Sequence, residues 1–238
     1  MRYKVIITGA NGLIGEGVLL QCLENQFIEE ILVVGRWEIE IKHPKVKELL
    51  IPDFLDLDDF DDQLKGYDVC FYCANITSVC LEETIYNHIT FEIAVNFAVN
   101  LLLLNPNLMF NYLSDIKADR TGRSSFMQGR IKGKTENALN KLTFKRIHHF
   151  RIGLVKPLKV QQKCGFFYKT FMNIYYPIMK LMMPNKAVTM KELALAMINV
   201  LLKEYPERTV NAKDIRYLAQ SYYGIESVAN KLAAMRPL

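Results

Sequence analysis

The chain has 238 residues, half of them apolar and 23% charged, with a formal net charge of +5. That length suits one well-buried domain rather than two independent ones, and the composition excludes a disordered chain. Five cysteines, an odd number, point to no disulfide scaffold. The charge is unevenly spread: residues 1–119 hold 8 Lys/Arg against 19 Asp/Glu, and residues 120–238 hold 22 against 6. A basic half focuses its field on an anionic ligand, or simply attracts the acidic half.

Taken in chain order, Tyr3 to Thr8 reads as a first strand, β-branched at Val5, Ile6 and Ile7. The apolar part of this run is too short for a secretion-signal core, so a cytoplasmic, reducing compartment is expected. Gly9 to Gly15 is a glycine loop, and helical spacing follows through Val18, Leu19, Cys22 and Leu23 to a stop near Asn25. Ile31 to Val34 is a second strand, unbroken in its apolarity as a strand buried on both faces would be. Lys47 to Ile51 fits a third strand, Asp56 to Leu64 a short acidic helix, and Asp68 to Ala74 a fourth strand. Glu82 to Leu104 is a long helix with apolar residues at Ile85, Ile89, Ile93, Phe97 and Leu101, ended by Asn105-Pro106-Asn107. Leu108 to Ser114 is a fifth strand, Lys132 to Leu142 a helix and His148 to Ile152 a sixth strand.

Strands alternating with helices at this spacing mean an α/β fold, a doubly wound parallel sheet of the Rossmann type. After Gly153 the pattern changes. Residues 165–183 are rich in aromatics and Met, and Thr189 to Leu202 is a helix whose Thr189 and Glu192 form a capping box. A last helix is expected from Asp214 to Met235, with a break at Gly224. Residues 1–160 therefore read as a dinucleotide-binding domain and residues 161–238 as a smaller lobe packed on it, on the substrate side.

The loop Thr8-Gly9-Ala10-Asn11-Gly12-Leu13-Ile14-Gly15 spaces its glycines by three and three. The first allows a sharp turn off the strand, the second lets backbone approach a diphosphate, and the third lets the helix pack close. Amides at the head of the helix meet the phosphate charge. The strand before, the helix after and the second strand beyond supply the context such a motif needs. Gly9, Asn11, Gly12, Leu13, Ile14 and Gly15 are the candidate diphosphate-binding set. The second strand ends Val34-Gly35-Arg36. An acid there would bind the ribose hydroxyls of NAD, whereas an arginine accommodates a 2′-phosphate. Arg36 favours NADP over NAD, although Glu38 and Glu40 follow closely enough to reach a ribose.

With Asp53 after the third strand, Cys73-Ala74-Asn75 after the fourth, Ser114 ending the fifth and Lys132-Gly133-Lys134-Thr135-Glu136 on the next helix, the chain resembles the atypical, epimerase-like branch of the short-chain dehydrogenase/reductase superfamily. The resemblance spans about residues 3–160. It implies that Asp53 lies near the adenine, Ala74 near the cofactor ribose, and that Lys132 bonds the nicotinamide ribose while Ser114 holds the substrate oxygen. Active members of that family add a tyrosine four residues before the lysine, its phenol made acidic by the neighbouring cation. Here that position is Gln128, and residues 120–135 contain no tyrosine. The proline that normally follows the arginine of strand six is replaced by Ile152.

Three readings follow. Tyr112, Tyr86 or Tyr168 supplies the proton. The reaction, an oxidoreductase or epimerase-like step, does without that phenol because the cofactor carries the hydride. Or the domain binds NADP without turnover, as a regulator or scaffold engaging a protein or membrane partner.

The remaining features have more ordinary readings. Asp115 is a candidate acid-base partner or a loop cap. Cys70 and Cys73 form a C-x-x-C inside a strand-like run and read as small core residues. His148 and His149 face opposite sides of a strand and do not share a metal; no metal site is expected. The segment 165–183 suits a lid over an apolar or anionic small-molecule substrate, a homodimer interface, or a helix lying on a membrane surface, in that order. No nucleic-acid fold or motif accompanies the basic residues.

Overall fold

The computed structural model describes residues 2–76, 81–158, 161, 166–183 and 186–220, with the side chains of 166–172 outside the description. Strand β1 (Tyr3–Thr8) leads into helix α1 (Leu13–Glu24), then β2 (Ile28–Gly35) and β3 (Val46–Leu50). A 3-10 turn (Asp58–Phe60) runs into α2 (Asp61–Leu64), in place of the continuous acidic helix expected there. Next come β4 (Val69–Tyr72), α3 (Glu83–Asn87), a π turn (His88–Glu92) and α4 (Ile93–Leu104). β5 (Met109–Asp115), α5 (Met127–Leu139) and β6 (Arg146–Ile152) complete the α/β series. β7 (Leu154–Lys156), α6 (Phe166–Met182), β8 (Ala187–Thr189), α7 (Met190–Leu202), β9 (Thr209–Val210) and a helical run, α8, at 212–220 follow. The expected continuation of that last helix to Met235, with its break at Gly224, lies outside the described residues.

Among the described residues seven strands form one sheet in the order β3-β2-β1-β4-β5-β6-β9, and every neighbouring pair is parallel. The chain walks outward from β1 to β3, then returns to place β4 on the other side of β1. Open α/β sheets bind ligands at this switch point, outside the carboxyl ends of the strands. β7 and β8 make a separate parallel pair.

Alternation along the strands sorts the core into two layers. Val5, Ile7, Ile31, Val33, Phe71, Leu113 and Phe150 pack with Val18, Leu19 and Cys22 of α1 and with the buried face of α7. Ile6, Leu32, Val34, Cys70, Tyr72 and Phe110 pack with Ala94, Phe97, Ala98 and Leu101 of α4. Thr189 caps α7 through the expected reciprocal box: its hydroxyl accepts from the Glu192 amide at 3.1 Å, and Glu192 Oε2 accepts from the Thr189 amide at 2.7 Å.

The long helix departs from its expected face. Ile85 is 46% exposed, and Ile89 and Ile93 are half-buried, whereas Tyr86, Thr90 and Ala94 are buried. The π turn widens the helix locally, so a row spaced by four residues stays on one side. The row turned inward begins with Tyr86 and Thr90, and only Phe97 and Leu101 bury as the apolar repeat suggests. The run 83–104 is long and apolar enough to cross a membrane by length and composition. In this fold its inner row covers the sheet.

Candidate active site

Tight turning at the end of β1 begins with Gly9, whose φ of +70° favours glycine. A Cβ there would sit 2.6 Å from the Ala74 amide nitrogen, so the loop presses against the end of β4. A Cβ on Gly15 would overlap the Gly9 carbonyl, which explains the third glycine of the motif. The Gly12 amide donates to the Gly9 carbonyl at 2.9 Å, and the first helical bond runs from Glu16 to Gly12, also at 2.9 Å. Among the described residues no side chain caps α1. Amides in the first turn of a helix have no acceptor within it, so Leu13 and Ile14 present N–H groups at the switch point. Thr8 Oγ1 accepts from the Ala74 amide at 3.2 Å and ties β1 to β4 there.

Asn11 Nδ2 donates to the Trp37 carbonyl at 2.9 Å, joining the glycine loop to the turn after β2. Arg36 stands in that turn, directly beyond Gly35, and is exposed. Asp53 lies past the end of β3 and is exposed; its Oδ1 accepts from the Leu55 amide at 2.8 Å. The glycine loop, Arg36, Asp53 and Ala74 thus all follow carboxyl ends of adjacent parallel strands.

Ser114 and Lys132 approach from β5 and α5. Helix α5 begins five residues earlier than expected, which puts Gln128 on it, one turn before Lys132. Gln128 Nε2 donates to Asp115 Oδ2 at 2.6 Å, while Asp115 Oδ1 accepts from the Lys117 amide at 2.7 Å. The position of the missing phenol is therefore an amide bonded to a carboxylate. Lys132 is 1% exposed and donates to Tyr112 Oη at 3.1 Å and to the Leu113 carbonyl at 3.0 Å. Burial pulls its ammonium down to about 8, against the opposing pull of the Asp115 and Glu136 charges.

Sequence reasoning assigned no role to the residue that organises this corner. Glu136 is fully buried and accepts from Ser114 Oγ at 2.6 Å, from Arg120 Nε at 2.6 Å and from Arg151 through two nitrogens at 2.9 and 2.6 Å. Burial alone would raise its carboxyl, but the hydrogen bonds from Arg151 and Ser114 outweigh burial and hold it below the usual carboxylate range. Two signals could have exposed the group. Glu136 follows Lys132 by four residues, on the same helix face. Ser114 and Arg151 are register partners on neighbouring strands.

Of the three tyrosines offered as replacements, Tyr112 touches Lys132, and burial lifts its phenol well above the ordinary value. Tyr86 is fully buried, and neither its hydroxyl nor that of Thr90 makes a hydrogen bond among the described residues. Burial raises the Tyr86 phenol, the neighbouring Thr90 hydroxyl pulls the other way, and the Asp115 charge adds to the rise. The Tyr168 side chain lies outside the described residues. His148 bonds Asn111 Oδ1 and the Tyr205 carbonyl, and His149 bonds Asn140 Oδ1, so the two histidines are held apart. Burial lowers His149 to about 3. Cys70 and Cys73 are buried free thiols, and burial pushes Cys73 up to about 12. Among the described residues no group of three metal-ligating side chains converges.

No family model matches the chain. It is 26% identical over 154 residues to Protein HTATIP2 of Rattus norvegicus, an overlap covering 64% of this chain and 62% of that protein. Its structure resembles a UDP-N-acetylglucosamine 4-epimerase from Methanobrevibacter ruminantium M1 in complex with UDP-N-acetylmuramic acid, with a TM-score of 0.62, 14% identity, and coverage of 87% and 75%. It also resembles the Bordetella bronchiseptica enzyme WbmG in complex with NAD and UDP, with a TM-score of 0.60, 13% identity, and coverage of 94% and 79%. A short chain dehydrogenase family protein from Francisella tularensis matches with a TM-score of 0.59, 14% identity, and coverage of 86% and 92%. The fold is thus the doubly wound Rossmann-type sheet that these epimerase and short chain dehydrogenase structures share.

Proposed function

We propose that this chain is an oxidoreductase-like protein that binds a nicotinamide dinucleotide at the β1–α1 turn, with NADP preferred over NAD, and holds a hydrophobic or anionic small molecule beside it. The observation that carries the reading is the uncapped head of α1 above the Gly9–Gly15 cradle. Exposed Arg36, one residue beyond β2, is the group that favours a 2′-phosphate. The NAD and UDP in the solved neighbours support a nucleotide and a small-molecule ligand in this kind of crevice.

When bound, the dinucleotide supplies hydride transfer. This chain's residues have separate tasks. The amides of Leu13 and Ile14 hold the diphosphate, Arg36 meets the 2′-phosphate, Asp53 lies near the adenine, Ala74 near the cofactor ribose, and Lys132 orients the nicotinamide ribose. Ser114 meets the substrate oxygen only if its proton leaves Glu136, because a carbonyl needs a donor.

A second reading, an NADP-binding regulator without turnover, is favoured by one specific contact. Gln128 occupies the phenol's position and is bonded to Asp115, so that position offers no ionisable proton. Calorimetric titration with NADPH and NADH tests the cofactor: NADPH binds more tightly, and Arg36→Glu reverses the order. Absence of heat with both coenzymes would refute the reading. NADPH consumption over a panel of carbonyl compounds then separates enzyme from regulator.

A further inference from the structure

Helix α6 presents an apolar face that the fold leaves uncovered. Ile174, Ile178, Leu181 and Met182 are 68%, 52%, 85% and 70% exposed. Their spacing of four, three and one places them on a single side of the helix. Tyr176, on the opposite side, is buried against Ala187 and Leu154, which fixes the helix to the β7–β8 pair. The uncovered face is thus the outward one, and four large aliphatic side chains meet water there together.

Its electrostatic setting is one-sided. Between Glu136 and Glu192 the chain has no acidic residue, while residues 137–191 contain eleven Lys/Arg. Lys180 and Lys186 are exposed at the end of the helix, and Lys156 and Lys180 stand over the Tyr176 ring at 5.5 and 6.0 Å, away from the apolar row. Exposed Lys180 and Lys186 give the helix a cationic end, with the Glu192 carboxylate on the buried, Tyr176 side, and such an apolar face matches a surface that is apolar below and anionic above. A second copy of this chain would bring the same cations against each other, with no carboxylate from this stretch to neutralise them.

We propose that α6 is a membrane-surface helix: its Ile174–Met182 face enters the headgroup boundary of a bilayer containing anionic lipid, and the cationic end of the helix, with exposed Lys180 and Lys186, attracts the anionic headgroups. The helix lies in the interface plane and does not cross the bilayer.

The experiment is co-sedimentation of the full chain with two kinds of vesicle, phosphatidylcholine alone and phosphatidylcholine with about a third phosphatidylserine. The chain pellets with the second kind, binds the first at least about tenfold more weakly, and is released as salt screens the lysines. Ile178→Glu and Leu181→Glu each weaken binding by about tenfold. Both side chains already stand in water, so the melting temperature and the NADPH titration stay unchanged, which separates lost docking from lost folding. Equal pelleting with both vesicles, or variants that bind like the parent, would overturn the proposal. So would sedimentation equilibrium showing a dimer that Leu181→Glu dissociates, since a second copy would then cover the face. Persistence of binding in high salt would equally count against it.

Discussion

Lys132 is the residue whose surroundings are most at odds with its charge. Its ammonium is buried and its pKa falls from 10.5 to about 8. Below pH 8 folded and unfolded chains both carry the proton, and the native state bears the full cost of burying it. Between about 8 and 10.5 only the unfolded chain keeps the proton, so stability rises with pH across that window. Compared with Lys132→Met, the parent should gain about 3 kcal/mol from pH 7 to 10.5. Urea unfolding of both proteins at matched pH values measures this, and a constant difference between them would contradict the assignment. Lysine at this place was legible through the family motif alone. The partner that receives it was not, because Tyr112 reaches Lys132 only through the pairing of strand with helix, a contact across twenty residues.

The elements divide by how local their causes are. β1, β5, α7 and the end of α1 were readable to within a residue or so, since period, glycine punctuation and the Thr189 box act over a few positions, while α1 itself begins at Leu13, inside the expected loop. The π turn was not readable: an extra residue per turn leaves the composition unchanged and moves the buried row from Ile85 to Tyr86. β7, β8 and β9 have three, three and two residues, and strands so short exist only through the partner they find. One close approach between elements makes a prediction. A Cβ on Gly17 of α1 would overlap the side chain of Met190, the fully buried first residue of α7. Gly17→Ala alone should cost about 1–3 kcal/mol through overpacking, and Met190→Ala about 2–5 kcal/mol through the cavity. Together they should cost at least about 1 kcal/mol less than their sum, because each relieves the other. Strict additivity in a double-mutant cycle would show that the helices shift apart instead.

For the whole molecule, the switch point between β1 and β4 sets where chemistry can occur; the glycine loop marked one side of it in the sequence, while the strand order that creates it did not show there. Its occupancy should be felt throughout, because α1 joins the sheet and α7 in one core. NADPH at one hundred times its dissociation constant should add about 2.7 kcal/mol of stability. For a chain of this size that is a rise of about 5–10 °C in melting temperature. A scan with NADPH beside one with NADH reads both the binding and the preference, and an unmoved transition with saturating NADPH would exclude native-state binding. The corner around Ser114 was only half legible for the same global reason: Arg120, Glu136 and Arg151 are far apart in sequence, and the fold gathers them.

The borders of the sheet carry a consequence for how copies of this protein meet. Among the described residues the last strand at one side is β3, five residues long with Lys47 and Glu48 along it; at the other it is β9, with two residues. Neither offers a long bare row of amides and carbonyls on which a stranger's backbone could lengthen the sheet. Fibril-like growth by strand addition is therefore disfavoured in the folded state, even at high concentration.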